Sequence, residues 1–191
     1  QAQEFNQAHS GGVLRRGVGL AGMWYRFGKS GQLQIETHAE LAPDGHFVLY
    51  LSTPDYGQGI ATTMSQIAAD SLHTGRERIQ IINADTARVP NSDVQGASRA
   101  TFFVGGSVRK TCQALVQSIL GIAAELFDRP VSDLILEKDQ VVLARHPGEA
   151  ISLAALAQEF DRIGQPRKVA GYFDLSSAFP EETRPEYIPL F

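Results

Sequence analysis

The sequence has 191 residues, of which 43% are hydrophobic and 20% charged, and its formal net charge is −4. This composition is typical of a soluble globular domain, and the acidic balance without a basic stripe argues against a nucleic-acid-binding surface. No apolar run approaches the length of about 20 residues that a bilayer requires, so we expect a cytoplasmic protein with no membrane partner. The single cysteine, Cys112, excludes an internal disulfide, and an iron–sulfur cluster, which needs about four thiolates, is expected to lie elsewhere.

The first third of the chain has apolar patterns that are typical of strands. Residues 18–26 and 34–41 have strand length. Pro43-Asp44-Gly45 is a turn signal before a further strand at residues 47–51. We therefore predict a meander.

Two glycine-bearing segments follow, and each leads into a helical pattern. The first, Asp55-Tyr56-Gly57-Gln58-Gly59, precedes apolar residues at helical spacing over residues 60–73. The second, Gln95-Gly96-Ala97-Ser98-Arg99-Ala100-Thr101, leads into the longest helix, from Ser98 onward. Gly105-Gly106 interrupts the apolar stripe of that helix, where we expect a close neighbour to pack.

The other predicted elements are short and are separated by turn-forming residues. They are a buried strand at 78–83, a loop at 85–96, hairpin strands at 134–137 and 140–144, a helix from Ser152 to about Gly164, and an apolar run at 169–173. We expect residues 1–173 to form an α+β domain fragment with mixed sheet elements and two or three amphipathic helices. Residues 174–191 are expected to be an irregular tail.

Both glycine-bearing segments are candidate anion sites. A helix N-terminus presents backbone N–H groups without intrahelical partners and a partial positive charge, and glycine lets a phosphate approach closely. Taken alone, the first segment is more often a plain strand-to-helix turn, and Ser98 is more often a helix cap. Two such helix starts in one chain favour a phosphate-rich cofactor, to which Gln58 and Arg99 add polar groups.

The remaining polar residues do not form a recognisable catalytic set. The five histidines have no His-x-x-x-His spacing, which argues against a zinc site. Cys112 lies among apolar neighbours and Ser98 lacks a Gly-x-Ser-x-Gly elbow, so neither is expected to be a nucleophile. Asp85-Thr86 is expected to stabilise its loop through side-chain-to-backbone hydrogen bonds. Glu149 is expected to lie before a helix and interact favourably with the helix dipole rather than act as a general base. Trp24 and Tyr25 are expected in the core rather than in a substrate funnel.

Taken in order, the segments resemble those of a known enzyme family. They are Gly17-Val18-Gly19-Leu20-Ala21-Gly22-Met23-Trp24, Asp55-Tyr56-Gly57-Gln58-Gly59, Gln66-Ile67-Ala68-Ala69, Asp85-Thr86 and Ala97-Ser98-Arg99. The series resembles part of the large, molybdopterin-binding subunit of the xanthine dehydrogenase and aldehyde oxidase family, the molybdenum hydroxylases. The similarity extends over nearly the whole chain, which implies that it is part of a larger molybdopterin-binding domain.

The resemblance implies that the two glycine-bearing segments bind molybdopterin, in the cytosine dinucleotide form that bacterial members often carry. The residues that inherit cofactor-binding roles are Tyr56, Gly57, Gln58, Gly59, Ala97, Ser98, Arg99 and Ala100. The implied partners are the rest of the molybdopterin-binding domain or subunit and an iron–sulfur subunit, with FAD as an option on a partner. The implied substrate is an aldehyde or an N-heterocycle, which such oxidoreductases hydroxylate with oxygen from water.

The chain departs from the family pattern at the residues that carry catalysis. The family's catalytic glutamate lies in a Gly-x-Gly-Glu segment that this sequence lacks, and Glu149 does not match it. The phenylalanine-bearing Gly-Gly loop of the family is absent as well, because Gly105-Gly106 falls within a predicted helix. We therefore expect a cofactor-binding portion, either a separate subunit or an excised domain, that is inactive alone. The alternatives are a non-catalytic assembly domain that binds no cofactor and a stand-alone nucleotide-binding enzyme.

Overall fold

The structure is a computed structural model, and it describes residues 1–22, 34–91, 95–96 and 99–174. The helices are α1 (Ala2–Ala8), α2 (Ile60–Leu72), α3 (Gly105–Phe127) and α4 (Leu153–Ile163). The strands are β1 (Gln34–Leu41), β2 (Phe47–Leu51), β3 (Ile79–Asn83), β4 (Leu134–Glu137), β5 (Gln140–Leu143), β6 (His146–Ser152) and β7 (Lys168–Asp174). None of the helices in the described part of the chain is both long and apolar enough to cross a bilayer.

The strands form two sheets. The larger has the order β3-β2-β1-β7 and the smaller has the order β4-β5-β6. In the larger sheet β1 is antiparallel to β2 and to β7, whereas β2 and β3 are parallel and α2 provides the crossover between them. This mixture of antiparallel hairpins, one crossover and packed helices confirms the predicted α+β class.

The core lies between α3 and the inner face of the larger sheet and continues through α2, α4 and the smaller sheet. Burial alternates along β1, where Ile35, Thr37, Ala39 and Leu41 face inward. The backbone of Gly105, at the start of α3, packs directly against α2. A Cβ at this position would lie 2.8 Å from Cδ1 of Ile67, so there is no room for a side chain. The contact confirms that Gly105-Gly106 marks a close approach.

Helices α2 and α3 lie side by side and run in the same direction. A Cβ at Gly105, the first residue of α3, would lie 2.8 Å from Ile67 and 3.7 Å from Met64, in the middle of α2. Farther along, Asp70 near the end of α2 and Arg109 of α3 line one cavity of about 310 Å³. Because later residues of α2 meet later residues of α3, the two helices run in the same direction, with the start of α3 beside the middle of α2.

Several predicted elements are confirmed with their boundaries nearly unchanged. They are the strands β1 and β2, helix α2, the β4–β5 hairpin around Lys138-Asp139, and α4. Ser152 caps α4, since its Oγ accepts a hydrogen bond from the Ala155 N–H at 3.2 Å, and Gly164 ends the helix in a left-handed conformation.

Other expectations differ from the structure. Residues 18–22 are not in a strand, and the side chains of Val18 and Leu20 are fully exposed, while residues 23–33, with Trp24 and Tyr25, lie outside the described residues. The predicted strand at 78–83 is β3, which is half-buried rather than buried because it lies at the edge of its sheet. The long helix is preceded by a π-helical turn, Ala100–Val104. The expected irregular tail also lies outside the described residues, apart from Asp174 at the end of β7.

Candidate functional site

The first glycine-bearing segment, residues 55–59, connects β2 to α2 and is called the glycine loop below. Gly57 has φ 110° and Gly59 has φ 74°, conformations that favour glycine over residues with a side chain. A Cβ at either position would meet no heavy atom within 4 Å, so this surface is open. Tyr56 between Asp55 and Gly57 is 72% exposed. A ligand can therefore approach the loop backbone directly.

The side chain of Asp55, the first residue of the glycine loop, stabilises the conformation of the loop. Its Oδ1 accepts hydrogen bonds from the N–H groups of Gly57 at 2.9 Å and Gly59 at 3.3 Å. The hydrogen bond from Gly57 is the largest of the interactions that lower the pKa of this carboxyl, and backbone N–H groups of Gly59, Ala61 and Ile60 act in the same direction. The carboxylate is thus the anion at the start of α2, a role that the sequence analysis missed. The Asp-x-Gly spacing, typical of side-chain-to-backbone turns, was the signal for it.

The Gln58 side chain folds back onto the glycine loop. Its Oε1 accepts a hydrogen bond from the Tyr56 N–H at 2.8 Å, and its Nε2 donates to the carbonyl of Pro54 at 2.9 Å. The amide oxygen has two lone pairs and the amide nitrogen has two N–H groups. Each of these hydrogen bonds therefore uses one lone pair or one N–H and leaves the other available. Gln58 therefore stiffens the loop and keeps a donor and an acceptor for a ligand.

The second glycine-bearing segment is described in part, because Ala97 and Ser98 lie outside the described residues. The Arg99 N–H donates to the carbonyl of Gly96 at 3.0 Å, which closes a turn just before the π-helical turn. The Arg99 side chain is buried and its guanidinium carbon lies 4.6 Å from the centre of the Phe103 ring, a cation–π contact. Ala100, the last of the predicted residues, is half-buried.

The π-helical turn Ala100–Val104, which begins within the second segment, packs against α2. A Cβ at Gly105 would meet the side chains of Ile67 and Met64, which are eight and five residues, or about 12 and 8 Å of helix, beyond Gly59. Ala100 is the first residue of this turn and Arg99 immediately precedes it, so the described end of the second segment leads directly into the contact with α2. The cavity that Asp70 helps to line is at the opposite end of α2, and none of its lining residues belongs to the described part of either segment.

The other candidate residues have structural roles. Asp85 accepts a hydrogen bond from the Ala87 N–H through Oδ1 at 3.1 Å, which confirms that it holds its loop. Cys112 is fully buried, and burial raises the pKa of its thiol to about 12, so it is not a nucleophile.

The expectation for Glu149 is wrong, because the residue lies in β6 rather than at a helix start. Among the described residues no group of three or more histidine, cysteine or acidic side chains is placed to hold a metal ion.

Comparison with known proteins places this chain in a family. A family model described as a molybdopterin cofactor-binding domain matches residues 1–188. Subunit gamma of the 6-hydroxypseudooxynicotine dehydrogenase complex of Paenarthrobacter nicotinovorans is 32% identical over 121 residues, which are 63% of this chain and 15% of that protein. The putative xanthine dehydrogenase molybdenum-binding subunit XdhA of Escherichia coli is 27% identical over 179 residues, 91% of this chain and 23% of that protein.

The fold is also found in a solved structure. Quinoline 2-oxidoreductase from Pseudomonas putida 86 superposes with a TM-score of 0.61 and 20% sequence identity, over 74% of this chain and 19% of that chain. The chain therefore spans less than a quarter of the length of each of these proteins. Because the family model covers almost every residue, the resemblance is confirmed, and this chain belongs to the molybdopterin cofactor-binding domain family.

Proposed function

We propose that this chain forms part of the cofactor site of a molybdenum hydroxylase, in which Tyr56 to Gly59 and Ala97 to Ala100 bind molybdopterin. The observation that carries the proposal is the parallel packing of α2 and α3, which supports placing both segments against one ligand. The bound molybdenum cofactor supplies the redox centre at which such enzymes hydroxylate an aldehyde or an N-heterocycle with oxygen from water. The chain's own residues bind and orient the cofactor.

The glycine loop fits a flat ring with hydrogen-bonding edges. The open faces of Gly57 and Gly59 admit a planar group to van der Waals distance, and the Gln58 amide offers it one donor and one acceptor. A phosphate at the start of α2 would lie beside the carboxylate of Asp55, which accepts hydrogen bonds from the Gly57 and Gly59 N–H groups just before the helix, and the like charges would repel. The loop is therefore suited to the pterin rings.

Other parts of the enzyme are expected on partner domains or subunits. The relatives include a subunit gamma and a molybdenum-binding subunit, names that describe parts of larger assemblies. We propose that partners carry the catalytic base and the iron–sulfur clusters, and that FAD is a further option among them. The cofactor form we propose is the cytosine dinucleotide. Its additional phosphate and nucleotide need a binding surface larger than the glycine loop.

A substitution of Gln58 tests the cofactor assignment. In the complex purified with its partners, we expect Gln58→Ala to lower the molybdenum and pterin content about fivefold, because two hydrogen bonds of the loop and the ligand-facing amide are lost. Metal content is measured by elemental analysis and pterin by the fluorescence of its oxidised form. Gln158→Ala, at an exposed position of α4, is the matched control and leaves both unchanged. Full cofactor content in Gln58→Ala would favour a non-catalytic assembly domain.

A further inference from the structure

Every residue of the segment 17–22, called the arm below, is exposed. The side chains of Val18 and Leu20 are 90% and 103% exposed, and a Cβ at Gly17, Gly19 or Gly22 would meet no heavy atom within 4 Å. Among the described residues, no backbone hydrogen bond involves the arm and the hydrophobic core includes none of its side chains. Large apolar side chains that are left in solvent together typically mark a binding surface.

The segment just before the arm is held by contacts of its own. The Asn6 amide in α1 pairs with the backbone of Arg16, since Nδ2 donates to the carbonyl at 2.6 Å and Oδ1 accepts from the N–H at 2.7 Å. The Arg16 guanidinium carbon lies 4.0 Å from the centre of the Phe5 ring. The Arg15 guanidinium donates to backbone carbonyls of residues 9–14. The arm therefore starts from an ordered base, and such pre-organisation reduces the entropy that docking costs.

The arm has the side-chain pattern of a strand with one apolar face. Val18 and Leu20 are two positions apart, so in an extended chain they point to the same side, about 6.6 Å from each other. Gly17, Gly19 and Ala21 form the opposite side, where small or absent side chains let another backbone approach closely. We propose that the arm binds as an added strand at the edge of a sheet in the polypeptide that completes the molybdopterin-binding domain, with Val18 and Leu20 in apolar pockets.

The sheet edge that receives the arm is placed in that polypeptide because of two observations. The strand nearest to the arm in the chain, β1, already pairs with β2 on one side and with β7 on the other. The family model matches residues 1–188, so the arm belongs to the family's domain, while the chain spans only 15% and 23% of two relatives. Most of the polypeptide in such proteins is thus available to the arm. The proposal rests on the proposed function only for the existence of this partner.

Hydrogen exchange of the arm amides tests the added strand. Exchange is measured by mass spectrometry with residue-level fragmentation, in the isolated 191-residue chain and in the native complex purified by way of this chain. In the isolated chain we expect residues 18–22 to exchange like an unstructured peptide. In the complex we expect exchange to slow at least about tenfold at every second residue, because an added edge strand is paired on one side only.

Charged substitutions test the apolar face of the arm. Val18→Asp with Leu20→Asp places two carboxylates where we propose apolar pockets, so the amount of partner polypeptide recovered with the chain should fall at least about tenfold. Leu126→Asp with Ile135→Asp is the matched control, because these side chains are 45% and 48% exposed and lie in α3 and β4. The control adds the same charge and should leave recovery unchanged.

Each outcome decides the proposal. Unchanged exchange of the arm in the complex, or protection without alternation, would overturn the added strand. Protection in the isolated chain that grows with its concentration would assign the arm to a second copy and overturn the proposed partner. Equal loss of the partner in both double variants would attribute the effect to charge and overturn the apolar contact.

Cofactor content of the same complex separates this proposal from the proposed function. A protected arm in a complex without molybdenum would contradict the proposed function and leave the docking of the arm supported. An unprotected arm in a complex that contains molybdenum would overturn the docking alone.

Discussion

Gly171 of β7 and Thr111 of α3 are packed so closely that a Cβ at position 171 would lie 2.6 Å from the Cα of Thr111. Such a distance leaves no room for a side chain, and the atom in the way belongs to the backbone of a helix. Five residues earlier in α3, a Cβ at Gly106 would lie 2.6 Å from the ring of Phe173. The helix that follows the second glycine-bearing segment is therefore fixed to the sheet by close backbone contact.

Substituting Gly171 is expected to loosen this contact. Gly171→Ala forces α3 and β7 apart, and overpacking of this kind costs about 1–3 kcal/mol or more in the free energy of unfolding. Urea unfolding followed by circular dichroism measures the change. Gly121→Ala is the control, because a Cβ at this helical position meets nothing within 4 Å, and it should raise stability by about 0.5–1 kcal/mol. Equal stability of Gly171→Ala and the wild type would contradict the observed packing.

A buried hydroxyl network crosses the same contact. Thr111 Oγ1 and Thr37 Oγ1 share a hydrogen bond of 2.7 Å, Thr37 Oγ1 and Ser107 Oγ share one of 3.0 Å, and Ser107 Oγ donates to the carbonyl of Gly171 at 3.1 Å. All three side chains are fully buried. The network joins α3 to β1 and β7 and satisfies polar groups that water cannot reach.

Removing one hydroxyl should leave its partners unsatisfied. Thr111→Val keeps the shape of the side chain, and we expect it to lower the free energy of unfolding by about 1–3 kcal/mol. Thr111→Ser keeps the hydroxyl and loses only a methyl group, so its loss should be smaller than that of Thr111→Val. Chemical denaturation of both variants provides the comparison. If valine were tolerated better than serine, packing rather than hydrogen bonding would dominate at this position.

Cys112 should make stability depend on pH in alkaline solution. Burial raises the pKa of its thiol from 9.0 to about 12, so above pH 9.0 the unfolded chain loses this proton while the folded chain keeps it. The stabilisation that the protonated thiol gives to the folded state is fully present below pH 9.0 and is lost as the pH rises toward 12. The slope is at most about 1.4 kcal/mol per pH unit.

The Cys112→Ala variant isolates this contribution. Groups other than Cys112 titrate equally in the wild type and the variant, so only the difference between the two proteins reports the thiol. The free energy of unfolding of the wild type should therefore decline more steeply between pH 9 and 10.5 than that of the variant. Native protein should also fail to react with a thiol reagent at pH 8 and should react once it is unfolded. Rapid modification of the folded chain would show that the thiol is accessible.

Local signals in the sequence predicted much of the fold. The alternation that forms β1, the turn at Gly45, and the Ser152 cap with Gly164 at the other end of α4 depend on neighbouring residues, and all are confirmed. The pairing of β7 with β1 joins residues more than 120 positions apart, so no local pattern could predict it. The half-burial of β3 also follows from sheet order rather than from its own residues.

The candidate site was predictable in outline but not in its chemistry. Glycines before two helical patterns indicated where a ligand could approach, and the structure shows open backbone at Gly57 and Gly59. The same pattern suggested a phosphate at the start of α2, and only the conformation of the loop shows that Asp55 lies there. Whether a helix start is available to a ligand depends on side-chain direction, which a spacing pattern does not specify.

The most direct test of the proposed function is the molybdenum and pterin content of the native complex that contains this chain. The complex is purified from its host by way of this chain, and molybdenum, pterin and released cytidine nucleotide are measured against the amount of the chain. We predict about one molybdenum and one pterin for each chain, with cytidine nucleotide in the same ratio. An intact complex that contains neither molybdenum nor pterin would contradict the proposed cofactor-binding role.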